Sequence, residues 1–482
     1  MAATPTTKWQ VGGYRFLVRR MEHALVRRDV RMLHDPMRSQ SRALSVGSVI
    51  ACIGLAGCAA LALLRPQDKI GDASVVVAKD SGAMFVRVDD VFHPVLNLAS
   101  ARLIVGRPET PTIVKESELA GRPRGSLVGI PGAPSALPQD DAAVGAWTVC
   151  DTLGATGSVS ETTVVVGDPV YGNDIEPVGD DEALLWSTLD GTYLVYGGGR
   201  ARIDLGDRAV VRALGLDDAV ASPVSPGVAD AVPVVPAITP PFIPRAGELP
   251  DYPMAGKTIG SVVKVTGVNV AYYVVLENGI QAISEATAQL IVFVDSQGNQ
   301  QIDAVLPDVL FDAPTVTDLA VQTFPAAAPT LVDTSSAPVG CVTWSPLTAA
   351  DGGPTARIVA SSGSALPLDA RAAPVRLAQA DSGGPAADAV FLTPGSGRFV
   401  RTTGIGANST RQDSSFFVAD TGVRFGVPDA ESAKALGLDE PVPAPWQMVE
   451  LLGPGPALSR AAALTAHDGV DPPPNAAALP SN

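Results

Sequence analysis

Several short stretches carry residue types and spacings that are associated with chemistry. Asp381-Ser382-Gly383-Gly384-Pro385 matches the nucleophile box of a serine protease, whose serine needs a histidine base oriented by an aspartate. Of the four histidines, His23 and His34 lie near the N-terminus and His467 near the C-terminus. His93 sits in Val91-Phe92-His93-Pro94, with nothing around it that resembles a catalytic histidine's surroundings. The box reads as a turn. Ala255-Gly256-Lys257-Thr258 suggests a phosphate loop, with Lys257 and Thr258 as nucleotide contacts. Such a loop needs a glycine five residues before Gly256 and a helix after it, so that N–H groups curl around phosphate. Asp251 occupies that position, and the run Ile259–Val265 is strand-like, which leaves Lys257 and Thr258 as weak candidates. Gly197-Gly198-Gly199 lacks the acidic partner of a dinucleotide site and reads as a hairpin turn. With no HExxH, paired CxxC or EF-hand spacing, no catalytic residue, metal ligand or cofactor is expected.

Four cysteines remain, Cys52 and Cys58 in an apolar run and Cys150 and Cys341 far downstream. In an oxidising compartment the last two favour one disulfide; two separate buried thiols are the alternative.

The elements that must position these residues divide sharply by charge. The 482 residues carry a net charge of −16, yet residues 1–42 hold nine Lys/Arg against three acids, a net of +6. With aromatics at only 5%, the acidic remainder argues against nucleic-acid binding. Ala43–Leu64 contains no charge in 22 residues, roughly 33 Å as a helix against a hydrocarbon core of about 30 Å. Five arginines lie in the 20 residues before it, so residues 1–42 are expected in the cytoplasm and the chain beyond the span outside. Leu55-Ala56-Gly57-Cys58 matches a lipoprotein cleavage box, but the apolar run continues through Cys58 to Leu64. Before the span, Tyr14, Leu17, Val18, Met21 and Leu25 share one face of a basic amphipathic helix. That helix suits either an anionic lipid surface or a cytoplasmic partner.

After a connector at 65–73, the chain reads as short strands broken by turns. Met84–Val88, Tyr193–Tyr196, Tyr272–Leu276 and Phe416–Val418 are aromatic or β-branched runs. The last three are followed by turn glycines, Gly197–Gly199, Gly279 and Gly422. Ala213-Leu214-Gly215-Leu216-Asp217 recurs as Ala435-Leu436-Gly437-Leu438-Asp439, so the second and fourth units are close copies, and the first and third resemble each other more weakly. Cys150 lies 65 residues after Phe85 and Cys341 lies 68 after Tyr273, each with a tryptophan three positions away, Trp147 and Trp344. Two duplicated halves account for this; chance similarity among Gly/Val-rich strands is the alternative. The divisions are repeat 1 at 74–140, a first central half at 141–188, repeat 2 with a Pro-rich connector at 189–250, repeat 3 at 251–325, a second central half at 326–400, repeat 4 at 401–460 and a flexible tail at 461–482. The expected fold is a single-pass membrane protein: a short cytoplasmic amphipathic helix, one transmembrane helix, then an α+β, β-rich domain of four repeats around a central β domain with pseudo-twofold duplication.

Stretches spread along nearly the whole chain resemble one family. They are Tyr14–Arg20, Asn97–Ile104, Val128–Pro134, Trp147–Asp151, Gly422–Val427 and Gly455–Arg460. On them the chain resembles EccB, the single-pass membrane component of actinobacterial (mycobacterial) type VII, or ESX, secretion. Tyr272–Ile280 and Val375–Phe391 are most similar to the third, metal-acquisition-linked ESX system. The resemblance implies that the N-terminal helix packs with the EccC, EccD and EccE membrane subunits. It also implies four repeats around a disulfide-bonded centre in the periplasm, a second copy as partner, and contact with the mycosin protease. Members are often labelled ATPases. A structural secretion subunit, an ATPase and a peptidoglycan-binding module are thus the three functions to separate.

Overall fold

The structure, a computed structural model, describes residues 7–31, 36–64, 69–138, 145–172, 174–254, 256–267, 270–298, 301–348 and 354–470. Residues 65–68 of the connector, Ala255 of the candidate phosphate loop and residues 471–482 of the tail lie outside them. The chain divides into two compact units, residues 1–69 and 70–482.

The first unit holds α1 (Lys8–Arg27) and α2 (Pro36–Leu64). Thr7 starts α1 with a reciprocal cap: its side chain accepts from the Gln10 N–H while the Gln10 side chain accepts from the Thr7 N–H. Tyr14, Leu17, Met21 and Leu25 are exposed along it and Val18 is half-buried. Within α2, Gln40–Leu61 is long and apolar enough to cross a membrane. It starts three residues before the charge-free run, because Gln40 and Ser41 are uncharged and Arg42 stands alone.

The second unit begins with repeat 1: β1 (Val75–Ala78), β2 (Met84–Val88), β3 (Val91–Pro94), α3 (Leu98–Val105), β4 (Thr112–Val114), α4 (Glu116–Leu119) and β5 (Leu127–Val128). The central domain opens with β6 (Trp147–Leu153), β7 (Val159–Val166) and β8 (Ile175–Pro177). Repeat 2 follows as β9 (Glu182–Thr188), β10 (Gly191–Tyr196), β11 (Gly199–Ile203), α5 (Arg208–Leu214), β12 (Ser222–Pro223), α6 (Pro226–Asp230) and β13 (Val234–Val235). Repeat 3 comprises β14 (Val262–Thr266), β15 (Val270–Val275), β16 (Ile280–Ile283), α7 (Glu285–Val294), β17 (Asp303–Val305) and a 3-10 turn at Pro307–Leu310. The chain returns through β18 (Thr330–Leu331) to the centre with β19 (Val339–Thr348), β20 (Pro354–Gly363), β21 (Val375–Arg376) and β22 (Ala389–Phe391). Repeat 4 is β23 (Gly397–Thr403), β24 (Gln412–Ala419), β25 (Val423–Val427), α8 (Ala430–Leu436), β26 (Val442–Pro445), α9 (Trp446–Val449) and β27 (Gly453–Pro454), and α10 (Arg460–Ala463) and β28 (Ala466–His467) end the described chain.

All four repeats share one plan. Three antiparallel strands are followed by a helix and a strand that pairs in parallel with the first strand; the sheets run β3-β2-β1-β4, β12-β9-β10-β11-β13, β16-β15-β14-β17 and β26-β23-β24-β25-β27. The β2–β3 turn is Asp89-Asp90, both at positive φ (48° and 62°), the twist a two-residue hairpin demands. Each aromatic run noted in the sequence forms the middle strand of its repeat. For that reason two boundaries move: Glu182–Thr188 and Gly397–Thr403 bond to β10 and β24 as the first strands of repeats 2 and 4, not to the central sheet. The Pro-rich stretch after α5 supplies β12, α6 and β13 at the edges of repeat 2, where a missing N–H does least harm. The tail is also shorter than 461–482, since β28 pairs with β5 of repeat 1 and Ala463 is fully buried.

Packing interlocks the two halves. Repeat 1 shares a core with repeat 4, where Ala99, Leu103 and Ile104 of α3 meet Phe417, Phe425 and Leu436. Repeat 2 shares one with repeat 3 through Val210, Ala213, Ala286 and Leu290. Repeats 2 and 4 both pack on the central sheet, in a core that includes Trp147, Trp186, Val228, Trp344, Met448 and Val449.

Gly215 and Gly437 end α5 and α8 in the left-handed conformation, at φ 67° and 79°. A methyl group at Gly215 would meet open space, whereas at Gly437 it would lie 2.7 Å from the Pro108 Cβ of repeat 1. Gly215→Ala should therefore cost about 1 kcal/mol for the backbone alone, and Gly437→Ala about 2 kcal/mol because the overlap adds to it. Urea midpoints of the two variants would check the order; equal losses would contradict it.

Candidate functional site

The residues that hold the body together converge on the central sheet, ordered β21-β22-β7-β6-β19-β20-β8. Its middle pair, β6 and β19, comes from the two halves. In antiparallel register it sets Trp147 opposite Trp344, Thr148 opposite Thr343 and Cys150 opposite Cys341. The alternation of strand side chains puts the tryptophans on one face and the threonines and cysteines on the other. Cys150 and Cys341 form a disulfide with Cα atoms 4.0 Å apart, and both are fully buried beside Ile175, Val339 and Leu366. Thr148 and Thr343 share a hydrogen bond of 2.9 Å next to it. The tryptophans are cross-strand partners and not copies of one another: one precedes its cysteine and the other follows, so an axis relating Cys150 to Cys341 would place Trp147 over Pro338. The outer strands also depart from the symmetry, since β8 is antiparallel to β20 while β22 is parallel to β7.

On the tryptophan face, β6 carries the buried Asp151. Its Oδ2 accepts from the Ser225 N–H at 2.6 Å, and its Oδ1 accepts from the Ser225 hydroxyl at 2.8 Å and the Thr162 hydroxyl at 2.7 Å. Ser225 caps α6, so this carboxylate ties repeat 2 to the sheet. Thr162 also donates its N–H to Asp388 Oδ2 at 2.7 Å, and the Ser382 N–H donates to Asp388 Oδ1 at 2.7 Å. Burial raises the Asp151 pKa above the ordinary carboxylate value; the bonds from Ser225 and Thr162 oppose this and the charge of Asp388 adds to it. The network spans three chain segments with only Asp-Ser and Asp-Thr pairs, and no local spacing announced it. A charged residue inside the otherwise apolar β6 run was its one visible sign.

The other candidates separate. Lys257 forms an ion pair with Asp303 on β17. Thr258 donates its N–H to the Ser261 hydroxyl and also bonds Gln297, and β14 follows, not a helix. The N–H groups therefore close a turn within the protein and do not converge on an outside anion. Asp381-Ser382-Gly383-Gly384 is a turn with Ser382 at φ 56°, in which Asp381 accepts from the Gly384 N–H. His93 lies in repeat 1, bonded through Nδ1 to the Ser126 carbonyl. Tyr14, Leu17, Val18, Met21 and Leu25 form the apolar face of α1, outside the central sheet. Among the described residues no group of three or more His, Cys, Asp or Glu is placed to hold a metal.

Comparison with known proteins extends this architecture over the whole chain. Residues 3–472 match the family model described as type VII secretion system ESX-1, transport TM domain B. The chain is 41% identical to the protein described as ESX-3 secretion system ATPase EccB3 of Mycolicibacterium smegmatis (strain ATCC 700084 / mc(2)155), covering 98% of this chain and 93% of that one. It is 39% identical to ESX-2 secretion system ATPase EccB2 of Mycobacterium tuberculosis (strain ATCC 25618 / H37Rv), covering 96% and 95%. Among solved structures it matches a chain of the intact ESX-5 inner membrane complex with a TM-score of 0.76 and 34% identity, over 100% of this chain and 99% of that one. It also matches the EccB3 dimer from the ESX-3 core complex with a TM-score of 0.71 and 37% identity, over 82% and 100%. Matched from end to end in both sequence and fold, the chain belongs to the EccB family of type VII secretion.

Proposed function

We propose that this chain is a structural subunit of an ESX inner membrane complex, anchored by α2 and contributing its repeats to the periplasmic part. The observation that carries the reading is the near-complete overlap with a chain of the ESX-5 inner membrane complex. The body itself supports it: a disulfide-tied core with four interlocked repeats is a rigid building part. The arginine-rich flank before the span favours a cytoplasmic N-terminus. The exposed face of α1, with Tyr14, Leu17, Met21 and Leu25, would then dock on the EccC, EccD and EccE subunits. A second copy pairs with this one, as in the EccB3 dimer, and the mycosin protease contacts the exported part. The ATPase in the relatives' names finds no support in the Lys257 loop, whose ammonium is engaged by Asp303.

The test is affinity purification of the tagged full chain from native membranes, followed by identification of the co-purifying chains. EccC, EccD and EccE should be recovered. Leu17→Asp with Met21→Asp should release them at least about tenfold, the effect of losing central apolar anchors, while Lys257→Ala should retain them. Recovery of the tagged chain alone would overturn the reading, as would ATP turnover by the exported part that Lys257→Ala abolishes.

A further inference from the structure

The two lobes of the exported body, repeats 1 and 4 and repeats 2 and 3, share a fold but not a surface. Residues 70–138 and 397–470, which form the first lobe, contain 13 Lys/Arg and 15 Asp/Glu. Residues 180–325, which form the second, contain 7 Lys/Arg and 18 Asp/Glu, a net of −11. None of those 18 acids is buried. Several of the few cations are held by the lobe's own acids: Arg200 by Asp230, Lys257 by Asp303, and Arg245 by Glu248, Asp251 and Glu277. The apolar surface is skewed the same way. Among the described residues the large exposed apolar side chains of the first lobe are Ile113, Leu464 and Val470, whereas the second exposes Phe242, Phe293 and Phe311 besides several leucines and valines.

Many of these apolar residues are neighbours of an acid: Leu189 of Asp190, Leu249 of Glu248, Val294 of Asp295 and Phe311 of Asp312. The clearest case surrounds the 3-10 turn Pro307–Leu310. Val309 and Leu310 pack inward against the Met254, Val275 and Ile280 cluster and so hold the turn. Leu306 and Phe311 flank it outward, Phe311 at 86% exposure, with Asp308 and Asp312 also exposed. A fixed turn that presents two large apolar side chains beside two carboxylates is complementary to apolar sockets rimmed by cations. A second copy of this chain fits poorly, because two such lobes would face each other with like charge.

We propose that the face of repeat 3 around Pro307–Leu310 is a docking surface for a different protein, one whose contact patch pairs apolar sockets with lysine or arginine. The proposal rests on the chain acting within a membrane complex. The experiment is zero-length carbodiimide cross-linking of the complex purified through the tagged full chain, with mapping of the linked peptides. Asp308 and Asp312 should be joined to lysines of another chain. Asp308→Lys with Asp312→Lys, or Phe311→Ser, should lower recovery of that chain at least about tenfold, and about 0.5 M salt should weaken it further. Asp80→Lys with Glu116→Lys on repeat 1 should leave it unchanged. Links only to a second copy of this chain, no intermolecular links at Asp308 or Asp312, or equal losses in the repeat 1 control would each overturn the inference. If the tagged chain is recovered alone, the membrane-complex reading itself fails; if the complex is intact but these carboxylates are unlinked, only the docking surface does.

Discussion

Cys150→Ser and Cys341→Ser should each lower the stability of the exported body by about 5 kcal/mol, and the double variant by no more than either one. The bond closes a loop of 191 residues, and the chain-entropy estimate grows with the logarithm of that length. The native contacts around it survive the change, because Ile175, Val339 and Leu366 enclose the pair from both halves and serine fits the same space. The loss should therefore appear in the unfolding midpoint, with repeats and sheet still formed in the absence of denaturant. Urea unfolding of the exported part, with and without reductant, measures it. Reduced wild type should match the variants, and a single variant much weaker than the other would show that the two sulfurs do not act as one bond.

Asp151→Ala should cost about 3 kcal/mol, because it strands three buried donors from Ser225 and Thr162 at once. Asp151→Asn is the more informative change. Its amide oxygen still accepts from the hydroxyls, but its NH2 faces the Ser225 N–H, so a smaller loss of about 1–2 kcal/mol is expected at pH 7. The pH dependence has a definite sign. Burial raises the folded pKa of Asp151 above the unfolded value of 3.8, so the native state binds this proton more readily than the unfolded chain. Its contribution is therefore greatest below pH 3.8 and is lost as pH rises through the raised value. The difference in urea midpoint between wild type and Asp151→Asn should narrow from pH 4 to pH 7. A gap that widens with pH would mean that the hydrogen bonds outweigh the burial.

What could be read before the fold was known followed physical periodicity. A charge-free run longer than the hydrocarbon core and an arginine flank mark the span, and residues 40–61 of α2 differ from that reading by three positions. The aromatic runs located all four repeats because the middle strand of a three-strand sheet is its most apolar. Their less apolar neighbours, β9 and β23, were assigned to the centre for the same reason. The cysteine pair was legible because only two lay beyond the span. The matching tryptophans were misread, since sequence spacing carries no direction and an antiparallel pair reverses it. The Asp151 network stayed hidden because its partners lie 11 to 74 residues away in the chain and consist of common Ser and Thr.

The joining of repeat 1 to repeat 4 means that the earliest part of the body is completed by the latest. Leu103 on α3 is covered by Leu436 and Leu458, more than 330 residues further along. At ribosomal speeds of about 5–20 residues per second, that oily face waits roughly 20–70 s for its lid. A nascent chain of this kind should call for a holding factor during its synthesis, and a premature stop anywhere in the final sixty residues would damage the beginning as surely as the end.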